Sequence, residues 1–580
     1  MKAMIKTGLL CIFSLMIFGC GQRDSNTNGE PVNPADLILI GNHIVTMDPA
    51  TLGAKAVAIR GDEIVAVGDR ESALALAGKR TRIVELGERA LLPGFIDAHG
   101  HFSFVARTMD SVNLSSPPVG TVRDIDALLG LLRARLTENP PADGQWLTGY
   151  GYDDSLLAEK RHPTRDDLDS VSAEIPIAIV HVSGHLAAVN SAALSATGIS
   201  AATENPPGGV IRRRAGGREP NGVLEETAAS AATFGHVYNS SGDRFIDQAR
   251  RAVALHASYG VTTVQDGAAM MADVAQLTAA AKKKPFAIDI AAYPYVNRLL
   301  KETFDAFQPD ADYTGGFRVA GAKFTIDGSP QGRTAWLTEP YVEGPPGVAD
   351  DYRAYPAADI DLYNRQAADL FARGVPMLVH ANGDAAIDAM LDGLEQAIPD
   401  DSTRDHRTVI IHAQLMRADQ IERAKRLNAV PSFYSAHPFF WGDWHRLSFG
   451  DERAQNISPV RWAVNADLPF TIHNDAPIVP PDMMRLIWVA VNRQTREGHI
   501  LGPHQRATAR EALHAVTLGA AYQYFEEDRK GSISVGKQAD LVILGKNPLT
   551  VDPARLADIP VLETIARGKT IFVSNDELRQ

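Results

Sequence analysis

Eight apolar runs of strand length recur along the chain, separated by segments with helical periodicity: LLPGFIDAHGHF (91–102), GVTTVQD (260–266), PFAIDIAAYPYV (285–296), FRVAGAKFTIDG (317–328), VPMLVHANGD (375–384), RTVIIHAQL (407–415), NAVPSFYSA (428–436) and LPFTIHNDA (468–476). Strands that are apolar on both faces and alternate with helices belong to parallel sheets, whose crossovers cover both sides. Eight such units predict an α/β protein built on a closed (β/α)8 barrel, with insertions that account for the remaining length.

The first run carries Asp97, His99 and His101 at alternate positions, so that one strand would present all three on one face. A lone His-x-His is weak evidence, since a core strand ending in hydrogen-bonded histidines reads the same way. The other runs decide. Lys323 stands in the fourth, His380 ends the fifth, His412 the sixth and Asp475 the eighth. Barrel enzymes place their chemistry where the strands end, so these groups from five strands converge on one face. His473 shares a face with Asp475 and reads either as a further ligand or as packing.

The two cysteines, Cys11 and Cys20, both lie in the first 20 residues, so any metal in the body is held by imidazole, carboxylate or a modified lysine. That first segment has Lys2 and Lys6 before the eleven-residue apolar run GLLCIFSLMIF (8–18), too short to span a bilayer as a helix. Residues 1–20 are expected to be a signal peptide, and Ile17-Phe18-Gly19-Cys20 resembles a bacterial lipobox with Cys20 as the lipidated residue. Residues 21–34 read as a flexible tether, and Gly21 after the cysteine points to the periplasmic face of the outer membrane.

Short alternating strands between 35 and 90 are matched by GSISVGKQADLVIL (531–544) and TIARGKTIFVS (564–574), so the termini are expected to pair into one β-sandwich domain (35–90 with 530–580) around the barrel (91–529). About 103–257 reads as a large insertion after the first strand, with a strand of its own at PIAIVHVSGH (176–185). The net charge of −13 argues against nucleic acid as a partner.

With PGFIDAHGHF, SGHLAAVNSAAL (183–194), GAKFTIDGSPQGRTA (321–335), HANGDAAID (380–388) and the closing GSISVGKQADLVIL in place, the chain resembles the amidohydrolase superfamily, and within it the amidohydrolase 3 group that includes N-substituted formamide deformylase-like enzymes. The resemblance implies a distorted (β/α)8 barrel with a β-sandwich from both termini, and one or two divalent ions, zinc for choice. His99 and His101 would hold the more buried ion, His380 and His412 the more exposed one, and Lys323, carboxylated by carbon dioxide, would bridge them. Asp475 would touch the metal and the nucleophile, serving as general base and then acid. A single-ion site with Lys323 as a bystander stays open. His181, His185 and Glu226 resemble positions that contact substrate, and read equally as structural. The aromatic segment FYSAHPFFWGDW (433–444) reads as a pocket wall or a packing lid.

The implied activity is hydrolysis of an amide-like C–N bond in a small molecule. Esterase or lactonase action on the same water is the enzymatic alternative. A lipid-anchored binding protein is the alternative from another class, and the intact ligand set speaks against it. A homodimer is what similar enzymes commonly form.

Overall fold

Gly94 is where the chain leaves one sheet and enters another. Ala90–Pro93 pairs antiparallel with Leu541–Leu544, whereas Phe95–Ile96 pairs parallel with Val261–Ala269. A Cβ at position 94 would lie 2.5 Å from both the methyl carbon and the hydroxyl oxygen of Thr262, so only glycine lets the chain make this crossing. The expected single strand over 91–102 is therefore two short ones. The computed structural model describes residues 33–575 apart from 143, 208, 234–239, 346–347 and 400–401; the expected signal, Cys20 and most of the tether lie outside them.

The parallel strands follow chain order in two sheets. Phe95–Ile96, Val261–Ala269, Asp289–Pro294 and Phe317–Val319 form one; Ala322–Thr325, Met377–Ala381, Val409–His412, Val430–Phe433 and Thr471–Ile472 form the other. The expected fourth strand is split because its chain changes partners: the Ala320 N–H bonds Ala292, and the Ala322 N–H bonds Pro376. At the far side, the eighth strand is only Thr471–Ile472, and its continuation meets the first strand through single bonds, Asp475 N–H to His99 O (2.9 Å) and His101 N–H to Ala476 O (2.8 Å). The Asp97 carboxylate accepts the Asn474 N–H at 2.9 Å, joining the ends of the first and eighth strands.

The intervening helices show why these segments coil. Gly242–Ser258 buries Phe245, Ala249, Ala252, Val253 and His256, a stripe at helical spacing, and Asp384–Ala397 buries Ala386, Ile387, Met390, Leu391 and Leu394 in the same way. Both stripes belong to the main apolar core around the parallel strands.

Two further sheets contain the N-terminal strands. Glu63–Gly68, Ala56–Arg60, Ala35–Ile40 and Ala77–Glu85 make one, and His43–Ile44 and Ala90–Pro93 join Leu541–Leu544, Val561–Ala566 and Lys569–Val573 in the other. The long segment after the first parallel strand builds a six-stranded sheet, Gly209–Arg213, Pro220–Glu226, Leu186–Val189, Ile177–His181, Leu147–Tyr152 and Val112–Asn113, of which the sequence pattern disclosed one strand. Among the described residues, no helix is long and apolar enough to cross a membrane.

Replacing Gly94 by Val forces the crossing apart and is expected to destabilise the fold by about 1–3 kcal/mol, the usual cost of overpacking. Urea denaturation checks this. An unchanged midpoint would show that the approach to Thr262 is not a constraint.

Candidate metal centre

Two histidines follow the first parallel strand, and the second strand fixes how each presents its ring. The amide nitrogen of Gln265 donates to Ala98 O (2.7 Å) and contacts the Tyr524 hydroxyl (2.9 Å), so its amide oxygen is the atom that meets His99 Nδ1. His99 therefore carries its proton on Nδ1 and keeps the Nε2 lone pair free. Gly267 makes room, because a Cβ there would lie 2.3 Å from His99 Cε1. The Gly267 carbonyl, which can only accept, takes the proton of His101 Nδ1 and leaves His101 Nε2 free in the same way.

The other two imidazoles are held by a longer chain. Gln523 donates its amide to Ala98 O (2.7 Å), so its oxygen accepts from the Thr471 hydroxyl at 2.8 Å. Thr471 has one proton, now committed, and at 2.7 Å it accepts from Ser432, whose oxygen in turn accepts from His473 Nδ1 at 2.9 Å. His473 Nε2 is then the acceptor for His412 Nδ1 (3.1 Å), and His412 Nε2 is left free, 3.2 Å from His380 Nδ1. His380 Nε2 lies 3.1 Å from Gly328 O, which can only accept, and 3.0 Å from Asn382 Nδ2, which itself donates to that carbonyl (2.9 Å), so the ring's proton is placed on Nε2. His473, which the sequence left between ligand and packing, is thus the group that orients His412.

These atoms converge. Lys323 Nζ is 3.2 Å from His99 Nε2, Asp475 Oδ1 is 3.2 Å from His101 Nε2 and 3.7 Å from His99 Nε2, and the ligand atoms of His99, His412 and Asp475 lie within 4.8 Å of one another. Asp475 Oδ1 is buried with no hydrogen-bond partner among the described residues. Two ligands of a tetrahedral zinc, each about 2.0–2.1 Å from it, stand about 3.3 Å apart, close to the spacings seen here. The donor set therefore fits a divalent cation. Two residues of the set sit at left-handed backbone angles, His412 at φ 74 and Asp475 at φ 63, a strain of about 1–3 kcal/mol each that positions function rather than stability.

Burial sets the protonation states. It drives His99, His380, His412 and His473 well below the ordinary imidazole value, with the neighbouring cationic groups adding to the effect. Burial also pushes Lys323 down to about 7, against a partly opposing pull from Asp475. At neutral pH these four imidazoles are neutral; His99, His380 and His412 each offer a lone pair to the site, and His473 spends its own on His412. Asp327 closes the far side, its carboxylate accepting the N–H groups of Asn382 (3.0 Å), Gly383 (2.8 Å) and Trp336 (3.0 Å) just past His380.

The expected substrate contacts separate. His185 Nδ1 is bonded to Glu226 Oε2 at 2.9 Å, and the Glu226 charge, with smaller help from Asp475 and Asp327, raises its pKa. His181 does not join the metal set: its Nε2 stands 3.1 Å from Asp154 Oδ1, in a buried cluster that also holds Asp153 and His162. Trp441 ties that cluster to the aromatic segment through Asp153 Oδ2 (3.2 Å). Sequence reasoning missed Gln265, Gln523 and Asp327, because a buried Gln or Asp beside an apolar run carries no periodic signal.

The amidohydrolase family model matches residues 82–572. N-substituted formamide deformylase of Arthrobacter pascens is 28% identical over 557 residues, 92% of this chain and 97% of that protein. The putative amidohydrolase YtcJ of Bacillus subtilis is 27% identical over 544 residues, 92% of this chain and 98% of that one. Among solved structures, an uncharacterized metal-dependent hydrolase from Pyrococcus horikoshii matches with a TM-score of 0.71 at 23% identity, over 89% of this chain and 99% of that chain, a likeness of fold.

Replacing Gln265 by Leu removes the acceptor that fixes His99 and is expected to weaken zinc binding about 10–100-fold. Competition with a chromogenic chelator measures this. Unchanged affinity would mean that the tautomer is set elsewhere.

Proposed function

The chain belongs to the amidohydrolase family, and we propose that it hydrolyses an amide-like carbon–nitrogen bond of a small molecule with a water activated at this centre. The observation that carries the reading is the set of oriented imidazoles beside Asp475: the free Nε2 atoms of His99 and His101 stand 3.7 and 3.2 Å from its Oδ1, and ligand atoms of His99, His412 and Asp475 lie within 4.8 Å of one another.

His99 and His101 would hold one zinc ion and His380 and His412 a second, on a distorted (β/α)8 barrel formed by 91–529. Lys323, brought to about 7, has much of its amine neutral at physiological pH. Its lone pair would add to the carbon of carbon dioxide, the nitrogen's proton would pass to solvent, and the resulting carbamate would offer the two ions a shared anionic ligand in place of a buried amine. When bound, the ions supply Lewis acidity, which lowers the pKa of a water and polarises a carbonyl.

The chain supplies the proton transfers. Asp475 takes the proton of the attacking water and returns it to the departing nitrogen, which leaves as a neutral amine. The dry surroundings of the imidazoles keep bulk water from competing for these positions. His185, held by Glu226, and His181 are assigned to substrate contact. Similarity to a formamide deformylase makes N-substituted formamides the first substrates to test.

The same reading includes a β-sandwich from 35–90 and 530–580, an insertion over about 103–257, a lipid anchor at Cys20 on the periplasmic face of the outer membrane, and a homodimer.

Asp475→Asn is expected to lower kcat by about 10²–10⁴-fold while changing zinc content far less, as loss of a general base does. Turnover of the best formamide and plasma emission spectrometry on the same samples check both halves. Full turnover in this variant would remove Asp475 from the mechanism.

A further inference from the structure

Tyr434 follows directly on the seventh parallel strand, Val430–Phe433, and its ring stacks on His473 with centroids 5.2 Å apart and planes at 18°. It also lies 5.9 Å from the His412 ring, and His437 and Trp441 pack against it at 5.0 and 6.1 Å. The side chain is 1% exposed, and among the described residues its hydroxyl has no hydrogen-bond partner.

Of the buried tyrosine hydroxyls among the described residues, only that of Tyr313 is also without a partner. Other buried tyrosines reach carbonyls: Tyr524 donates to Asp97 O (2.7 Å), Tyr341 to Ala335 O (2.7 Å) and Tyr150 to Val182 O (3.2 Å). A buried hydroxyl left unpaired is costly, and a phenylalanine would fill the same stacked position without that cost. Burial, then the charge of Asp475, holds the phenol well above its ordinary value, so it is a donor that senses the catalytic carboxylate.

We propose that the Tyr434 hydroxyl is a catalytic residue that donates a hydrogen bond to the substrate carbonyl oxygen as that oxygen gains negative charge. This rests on the hydrolase reading above. Stacking on His473 holds the donor still, so little reorganisation is needed when charge develops, which is what makes such donors effective. His437 and Trp441 also pack against the ring, and the hydroxyl is left as its one unpaired polar atom.

The test compares wild type with Tyr434→Phe, using the purified zinc-loaded chain. With a formamide that wild type hydrolyses, kcat is expected to fall about 100-fold, the typical effect of removing one such donor. KM and zinc content should hold, and the thermal midpoint should stay or rise. Equal kcat would overturn the proposal, and so would a lowered midpoint with loss of zinc, which would make the hydroxyl structural.

If wild type hydrolyses no carbon–nitrogen substrate, the hydrolase reading fails separately. Titration with methylphosphonate, a tetrahedral oxyanion, then decides on Tyr434. A Kd at least about tenfold weaker in the variant supports the donor, and an equal Kd overturns it.

Discussion

Each imidazole at the centre keeps its proton on the nitrogen that faces the protein and its lone pair on the nitrogen that faces the site. Four acceptors impose this: Gln265 on His99, Gly267 O on His101, Gly328 O on His380, and the relay through His473, Ser432, Thr471 and Gln523 on His412. Were any ring turned, a buried N–H would face other cationic groups. The two glutamines share one anchor, Ala98 O, so the loop between the first strand and its histidines sets both halves of the centre. Burial then needs to do only one further thing, which is to keep the rings of His99, His380 and His412 neutral.

The fold serves that arrangement by being irregular where it matters. Regular strand ends would leave His412 and Asp475 in extended backbone, whereas both adopt left-handed angles. The Asp97 carboxylate bonds across to Asn474 while its N–H still pairs with Thr263 O (2.9 Å), and Gly94 allows the first strand to approach Thr262. Left-handed angles also occur at turns far from the centre, such as Met47, Lys160 and Asn428, so what distinguishes His412 and Asp475 is that the strained residue is itself a ligand.

Much of this was legible beforehand, and the reason is specific. His99, His101, Lys323, His380, His412 and Asp475 interrupt or end apolar runs, so each is conspicuous against its own strand. Their orienting partners are not: Gln265 sits inside GVTTVQD and Gln523 in a helix, where a single amide has no pattern to break. The eight parallel runs were visible, but apart from the second, which extends to Ala269, their lengths were overread, because apolar residues continue past the last ladder bond into the turns that aim the ligands. In the insertion, strands as short as Val112–Asn113 and a sheet order that departs from chain order left only Pro176–His185 recognisable. The role of His473 needed coordinates, since ligand and ligand-orienting histidines have the same spacing.

The central claim is that Lys323 and the four imidazoles form one two-ion centre, and ¹³C NMR of the zinc-loaded chain in ¹³C-labelled bicarbonate, read beside zinc per chain, tests it most directly. The account predicts about two equivalents of zinc and one labelled carbamate carbon, both dependent on Lys323 and stronger at pH 8 than at pH 6, since the neutral amine rises from about one tenth to about nine tenths across a pKa near 7. One equivalent of zinc with no labelled carbon would contradict it and leave Lys323 a neutral bystander beside a single ion.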